Sequence, residues 1–408
     1  MTSFSSIYSS LTGLSGFTTA LGVVSNNITN LNTPGFKTSD AIFRDIGPLN
    51  PDNGGTPRDG LISGDTGEGV DVNGQTRNFS EGQVEATGNA TDLALSGNGY
   101  FIVSKGGTNY YTRAGQFTFD GQGHLIDGAT SAFVQQADSS GNLSDLIVSP
   151  YQAYPPTPTT EVSFSGNLST GSSQASVSNV SVIDASGTSQ TLSLQLTNNT
   201  ATTPGSWNVT VNDAENNPLL TGEIRFSGDG SPEASYNELT LTLPSSGNST
   251  STVTLNFGDP GSLTGTTSFS SGSQSTVQVA SSDGVVAGSL TGITFDQTGT
   301  VQLAFSNGKA GTGAQIALAN FANQNELVDA GNSYYSVSKS SAQMPTIGRP
   351  GEDGFGAITP QSLELANVDL GQEFAKIIIL QRGYQGSSQV LNVSSQLLDT
   401  LYNALSGH

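Results

Sequence analysis

Apolar residues at both ends of the chain recur in steps of three and four, and this spacing constrains the fold more than any other feature. At the N-terminus Phe4, Ile7, Leu11, Leu14, Phe17, Leu21, Val24, Ile28 and Leu31 form one stripe, the periodicity of an amphipathic helix with a coiled-coil-like seam. Pro34-Gly35 stops it. At ~1.5 Å per residue, about 28 helical residues make a rod of roughly 40 Å, too long for the core helix of a small domain. At the C-terminus Phe374, Ile377, Tyr384, Leu391, Leu398, Tyr402 and Leu405 lie on a heptad grid whose intervening positions are Gln381, Ser388 and Ser395. Isolated amphipathic helices are marginal in water, so the terminal helices are expected to pair with each other and with copies from neighbouring chains. The plainer alternative is two helices packed on a β core.

Between the ends the period changes to two, punctuated by Gly, Asn and Asp. Residues 92–103 (DLALSGNGYFIV) and 117–126 (FTFDGQGHLI) read as strand-turn-strand segments, and 293–305 (ITFDQTGTVQLAF) as a similar hairpin. The FTFD and ITFD hairpins are expected in one sheet system. Pro150, Pro155, Pro156 and Pro158 form the densest proline cluster, after which 161–281 turns rich in Ser and Thr, with short alternating runs. That stretch is expected to be an inserted antiparallel sandwich or barrel, with Ser282-Asp283-Gly284 as its return hinge.

The fold class is therefore α+β: N- and C-terminal helices forming a coiled-coil-like inner domain, with nested, mainly antiparallel β domains. The expected divisions are 1–36, N-terminal helix; 37–75, extended linker; 76–149, first part of a β domain; 150–284, inserted outer β domain; 285–360, second part and return linker; and 361–408, C-terminal helix.

Composition removes several function classes. Lys and Arg number 12 against 33 Asp and Glu, a net charge of −21, which opposes electrostatic capture of nucleic acid or an anionic membrane. With no Cys and two His, the chain has no thiolate nucleophile, disulfide framework or multi-histidine zinc site. The first 36 residues carry no charged side chain, so the basic region of a secretory signal is missing, and no run approaches ~18 continuous apolar residues. Neither a cleaved signal nor membrane insertion is expected.

Candidate chemistry is weak. His124 lies near Asp120 and Asp127, but Asp-Gly and Gln-Gly at that point are turn dipeptides. The acid-dotted loops 52–69 and 351–354 match no calcium-binding loop. No phosphate-binding glycine loop, dinucleotide fingerprint or serine-hydrolase elbow occurs. No catalytic, cofactor or metal residue is expected.

Four segments resemble one family. SNNITNLNTPGFK (25–37), DLALSGNGYFIV, YTRAGQFTFDGQGHLID and LELANVDLGQEFAKIIILQRGYQGSSQVL are similar, in order, to motifs of bacterial flagellar rod and hook proteins. The resemblance covers roughly 1–145 and 285–408. It implies a non-enzymatic subunit, exported unfolded by the flagellar type III apparatus and polymerised beneath a cap into a tube. Length and the insert favour the hook type, a curved joint transmitting torque, over a distal rod subunit. A secreted β-rich adhesin is a weaker alternative that leaves the terminal heptads unexplained. Implied partners are further copies, rod and hook-filament junction proteins, the cap and the export apparatus; the implied place is extracellular. Asn26, Asn27, Asn30, Pro34, Gly35 and Phe36, with Asn367 and Asp369, would form a corner between inner helices and outer domains. Lys376 and Arg382, the only cations of the C-terminal helical segment, read by default as solvated surface, with pairing to acidic groups of adjacent subunits as the alternative. A neutral polar helix would suit a tube lumen through which other chains pass.

Overall fold

The N-terminal periodicity appears as helix α1, Thr2–Thr29. Its hydroxyls close on the preceding turn: Ser10 Oγ donates to the Ser6 carbonyl at 2.7 Å and Thr18 Oγ1 to that of Leu14 at 2.8 Å. These bonds satisfy polar side chains of the helix without charge. An 18-residue window within Ser6–Thr29 reaches a mean hydropathy of 1.2, so the helix is long and apolar enough by composition to cross a membrane despite the broken apolar runs. After it the chain turns sharply at Gly35, whose φ of 67° is left-handed and whose Cβ position lies 2.4 Å from the Ala114 nitrogen. Only glycine fits there. Helix α2, Leu370–Ser406, closes the chain. Asp369 Oδ1 accepts the Gln372 N–H at 3.1 Å at its first turn.

This computed structural model describes residues 2–46, 69–138, 141–244, 250–338 and 344–406. The side chains of Phe4 and Leu405, and the acidic loop 52–68, lie outside the described residues. Two compact units emerge: Met1–Ser149 with Ile293–Gln302 and Thr312–His408, and Pro150–Gly292 with Leu303–Gly311.

In the first unit α1 and α2 run antiparallel. The stretch expected as an extended linker begins and ends in a strand pair, Ser39–Asp45 with Val70–Arg77. The largest sheet, ten strands among the described residues, surrounds an aromatic core of Tyr100, Tyr111, Phe321 and Tyr335. Two short pairs bring distant segments together: Ala357–Pro360 lies on Leu93–Ser96, and Ser362–Glu364 on Val84–Ala86.

The segment 92–103 is not a hairpin. Strand Leu93–Ser96 pairs with Ala357–Pro360, whereas Tyr100–Lys105 pairs with Thr108–Thr112, Phe133–Ala137 and Leu318–Asn320. Gly97 and Gly99, both at positive φ, redirect the chain instead of folding it back. The FTFD hairpin forms, Phe117–Phe119 on Leu125–Asp127, in the ten-stranded sheet. The ITFD strands, Gly288–Phe295 and Thr300–Phe305, belong to a separate four-stranded sheet, which corrects the single-sheet expectation. Identical turn chemistry specifies a hairpin but not the sheet it joins.

The second unit packs a four-stranded antiparallel sheet (residues 174–225) and a five-stranded sheet around one core. Trp207, Phe164, Phe257 and Leu194 sit at its centre. Pairing is not wholly antiparallel: Glu161–Asn167 runs parallel to Thr250–Asn256 and to Thr266–Thr267.

Candidate functional site

The two helices touch through their smallest residues. Contacts run in constant antiparallel register: Ser6 Oγ lies 3.2 Å from Ser394 Oγ, a Cβ on Gly13 would meet Ser387 Oγ at 3.0 Å, and one on Gly383 would meet the Phe17 ring at 2.5 Å. At the far end Asn27 Nδ2 donates to Glu373 Oε2 at 3.0 Å. Ala20, Val24 and Leu380 are buried between them, with Phe17, Leu21, Ile28 and Ile377 packed alongside. Glycine at 13 and 383 is what lets the two backbones approach.

The apolar stripes read from sequence flank this contact more than they fill it. On α1 Val24 is buried, Ile7, Leu14, Phe17, Leu21 and Ile28 are half-buried, and Leu11 is exposed; Leu31, just beyond the helix, is half-buried. On α2 Ile377, Leu391 and Leu398 are half-buried, while Phe374, Tyr384 and Tyr402 are exposed. The facing row on α1 is Ser10, Gly13, Phe17, Ala20, Val24 and Asn27, one position off most of the apolar stripe. Steps of three and four among small and polar residues carried that signal; a search for large apolar residues passes over it.

Beneath the helix ends lies a buried charged knot. Lys37 Nζ sits 2.5 Å from Glu364 Oε1 and donates to the Ser80 carbonyl at 2.7 Å. Arg113 places Nη1 3.3 Å from Glu364 Oε2, and its two terminal nitrogens donate to the Leu95 and Gly97 carbonyls. The Gly82 N–H also reaches Glu364 Oε1, at 2.9 Å, and Gly35 N–H donates to the Glu364 carbonyl at 2.8 Å. Lys37 and Glu364 are 1% and 0% exposed, so every charge-bearing group depends on its partners. Burial pulls the Lys37 ammonium below its usual range, against the Glu364 carboxylate that favours it. Removing one member of such a knot costs about 3–5 kcal/mol, because a charge is stranded in the interior.

Two asparagine amides clamp the strand that leaves this knot. Asn27 accepts from Ser39 N–H at 3.0 Å and donates to its carbonyl at 2.8 Å. Asn367 accepts from Thr38 N–H at 2.8 Å and donates to the Asn78 and Ser80 carbonyls at 2.8 and 3.0 Å. Asn30 Nδ2 donates to the Asn26 carbonyl, and Phe36 accepts the Asn367 N–H. Pro34 is half-buried in the turn. Lys376 bonds within its own chain, to Asp40 at 2.5 Å and Glu373 at 2.7 Å, which removes the need for an adjacent subunit to supply its partner. Lys37, Arg113 and Glu364 were not singled out from sequence, although Lys37 is the first charged residue of the chain and Glu364 stands between two leucines.

His124 Nδ1 lies 3.1 Å from Asp120 Oδ2 in a hairpin turn, its ring against Phe133. No cluster of three or more potential metal ligands occurs among the described residues.

Each arm of the knot comes from a different recognisable segment. Residues 7–37 match a profile described as flagella basal body rod protein, 94–167 one for the flagellar hook protein FlgE/F/G D1 domain, and 359–404 one for the flagellar basal body rod FlgEFG protein C-terminal region. The flagellar hook protein FlgE of Borreliella burgdorferi is 30% identical over 437 aligned residues, spanning 97% of this chain and 98% of that protein. The chain belongs to the flagellar hook protein family. The FlgE proteins of Treponema pallidum and Escherichia coli are each 28% identical, across 97% and 96% of this chain and 98% of each relative. In this hook-family chain Lys37 falls in the first matched segment, Arg113 in the second and Glu364 in the third, so the knot ties together all three.

Proposed function

We propose that the chain is the structural subunit of the flagellar hook, polymerising into a curved tube that passes torque from rod to filament while bending. The observation that carries this reading is the antiparallel α1–α2 pair, rooted in the charged knot, that still exposes Leu11, Phe374, Tyr384 and Tyr402 to solvent. A helix pair so rooted and so incompletely covered is suited to bury its remaining apolar surface against other copies, completing a coiled-coil-like inner layer. Asn26, Asn27, Asn30, Pro34, Gly35, Phe36, Asn367 and Asp369 act as the corner that sets the angle between this layer and the β domains. The neutral exterior of α1, with the Thr18 and Thr19 hydroxyls turned onto its own carbonyls, suits a lumen through which unfolded chains pass without electrostatic trapping.

In this reading the partners are further copies, the rod and hook-filament junction proteins, the hook cap and the export apparatus; the subunit works outside the cell without a cleaved signal, and its task is mechanical, not enzymatic. The 150–284 insert favours the hook over a distal rod subunit. Electron microscopy of the full chain, beside a chain lacking residues 1–30, tests the reading: curved tubes form from the full chain alone. Straight tubes would move the assignment to the rod, and monomers from the full chain even with a cap protein present would overturn assembly altogether.

A further inference from the structure

A groove of about 560 Å³ in the second unit has no part in the reading above. Its floor is the solvent face of two paired strands, Gln174–Ile183 and Ser189–Asn198, where Gln174 lies opposite Thr197 and Ser176 opposite Gln195. The alternate residues Leu194 and Leu196 are buried in the core, which turns these four side chains outward. One wall is the turn that carries Ser273, Gln274 and Ser275. That turn is held at both ends: Ser169 Oγ donates to the Gly272 carbonyl at 2.5 Å, while Ser275 Oγ accepts the Ser169 N–H and Thr276 Oγ1 the Asn167 N–H, each at 3.0 Å. The groove is therefore formed before any ligand arrives. Among the described residues, the side chains of Gln174, Ser176, Gln195, Thr197 and Gln274 have no hydrogen-bond partner within the chain, so all their donors and acceptors face the groove or water.

We propose that this groove binds a neutral oligosaccharide, a function separate from self-assembly. Its volume falls within the range of about 300–1,000 Å³ typical of small-ligand sites. Amides and hydroxyls both donate and accept, so a set of them without partners matches a ligand rich in hydroxyl groups. Neighbouring strands lie about 4.8 Å apart, which places the two rows of polar side chains at the scale of one sugar ring. Charge sets the class of sugar. No ionisable side chain lines the groove, so nothing in it holds a cation, and a chain of net charge −21 repels an anionic ligand. An extended peptide fits less well, because the floor presents side chains on the face of a sheet and not the free backbone edge that an added strand requires.

The test is retention of the full-length chain on an immobilised array of neutral and acidic oligosaccharides, at a concentration too low for tubes, so that sugar binding and assembly are scored separately. The wild-type chain is retained on neutral members and not on acidic ones. Gln195 and Gln274 are both exposed, so the double variant Gln195→Ala, Gln274→Ala keeps the fluorescence of Trp207, the single tryptophan, buried in the same unit. It lowers retention about tenfold, the effect of losing two side-chain hydrogen bonds. Thr221→Ala, exposed on the same sheet but outside the groove, leaves retention unchanged. Retention on no neutral member, retention on acidic members alone, or full retention of the double variant overturns the proposal. So does displacement of the bound chain by an uncharged Ser/Thr-rich peptide but not by the free sugar, which would make the groove a peptide site.

Discussion

At the scale of single residues, aspartate works in this chain as a turn-builder. Asp120, Asp184, Asp213 and Asp296 each open a hairpin turn in which one carboxylate oxygen accepts two backbone N–H groups, from residues two and four further on. The Asp120 carboxylate beside His124 is thereby explained: its Oδ1 is already occupied by the backbone of its own turn. The side-chain amide of Asn217, followed by its N–H, holds the Asp213 carboxyl below the usual carboxylate range, and the Ser186 hydroxyl leads the same effect at Asp184. At Asp296 burial pushes upward, but the bonds from Thr298, Thr300 and Gln302 outweigh it. Each of these groups binds its proton less readily folded than unfolded. Their stabilisation is therefore complete above the unfolded carboxylate value of about 3.9 and is lost as pH falls through the lower folded values. Thermal unfolding followed from pH 7 downward should show Tm falling steeply in the acid range, and Asp184→Asn should flatten that fall while lowering Tm at neutral pH. An unchanged acid slope in the variant would separate these turns from acid stability.

At the scale of elements, the helix pair depends on what is absent from its interface. Large apolar residues at heptad spacing reveal two terminal helices in sequence, yet Gly13, Ala20, Gly383 and Ser387 decide how near they come. Gly383→Leu should wedge the pair apart, because its branch meets the Phe17 ring, which is wedged in turn against Phe43 at 5.8 Å. Relative to glycine, leucine also improves intrinsic helix propensity by nearly 1 kcal/mol, so a destabilised variant cannot be blamed on the helix itself. Far-ultraviolet circular dichroism should show the helical signal melting at lower temperature, while Trp207, buried in the second unit, reports its own core unchanged. Retention of the wild-type melting would mean that the close approach at Gly383 contributes nothing. The same logic explains strand 93–96: its alternation signalled a strand, whereas its partner, Ala357–Pro360, lay more than two hundred and fifty residues away and nothing local announced it.

At the scale of the whole molecule, the net charge of −21 opposes every contact between copies, and screening is the remedy. With a Debye length of ~10 Å at about 0.1 M salt, tube formation should be promoted as ionic strength rises from low values; light scattering against added salt checks this, and inhibition by moderate salt would contradict it. The residues by themselves determined that the ends are helical, that the middle is β-rich, and that thiolate and multi-histidine chemistry is excluded. Each of these follows from local periodicity, turn residues or the bare inventory of side chains, all of which act over a few positions along the chain. Only the tertiary structure decided which face of each helix is covered, which sheet each hairpin joins, and that Lys37, Arg113 and Glu364 meet. Those outcomes depend on residues as many as 388 positions apart competing for the same buried space, where an ionised group is tolerated only if its partners arrive, and no local pattern records which partners do.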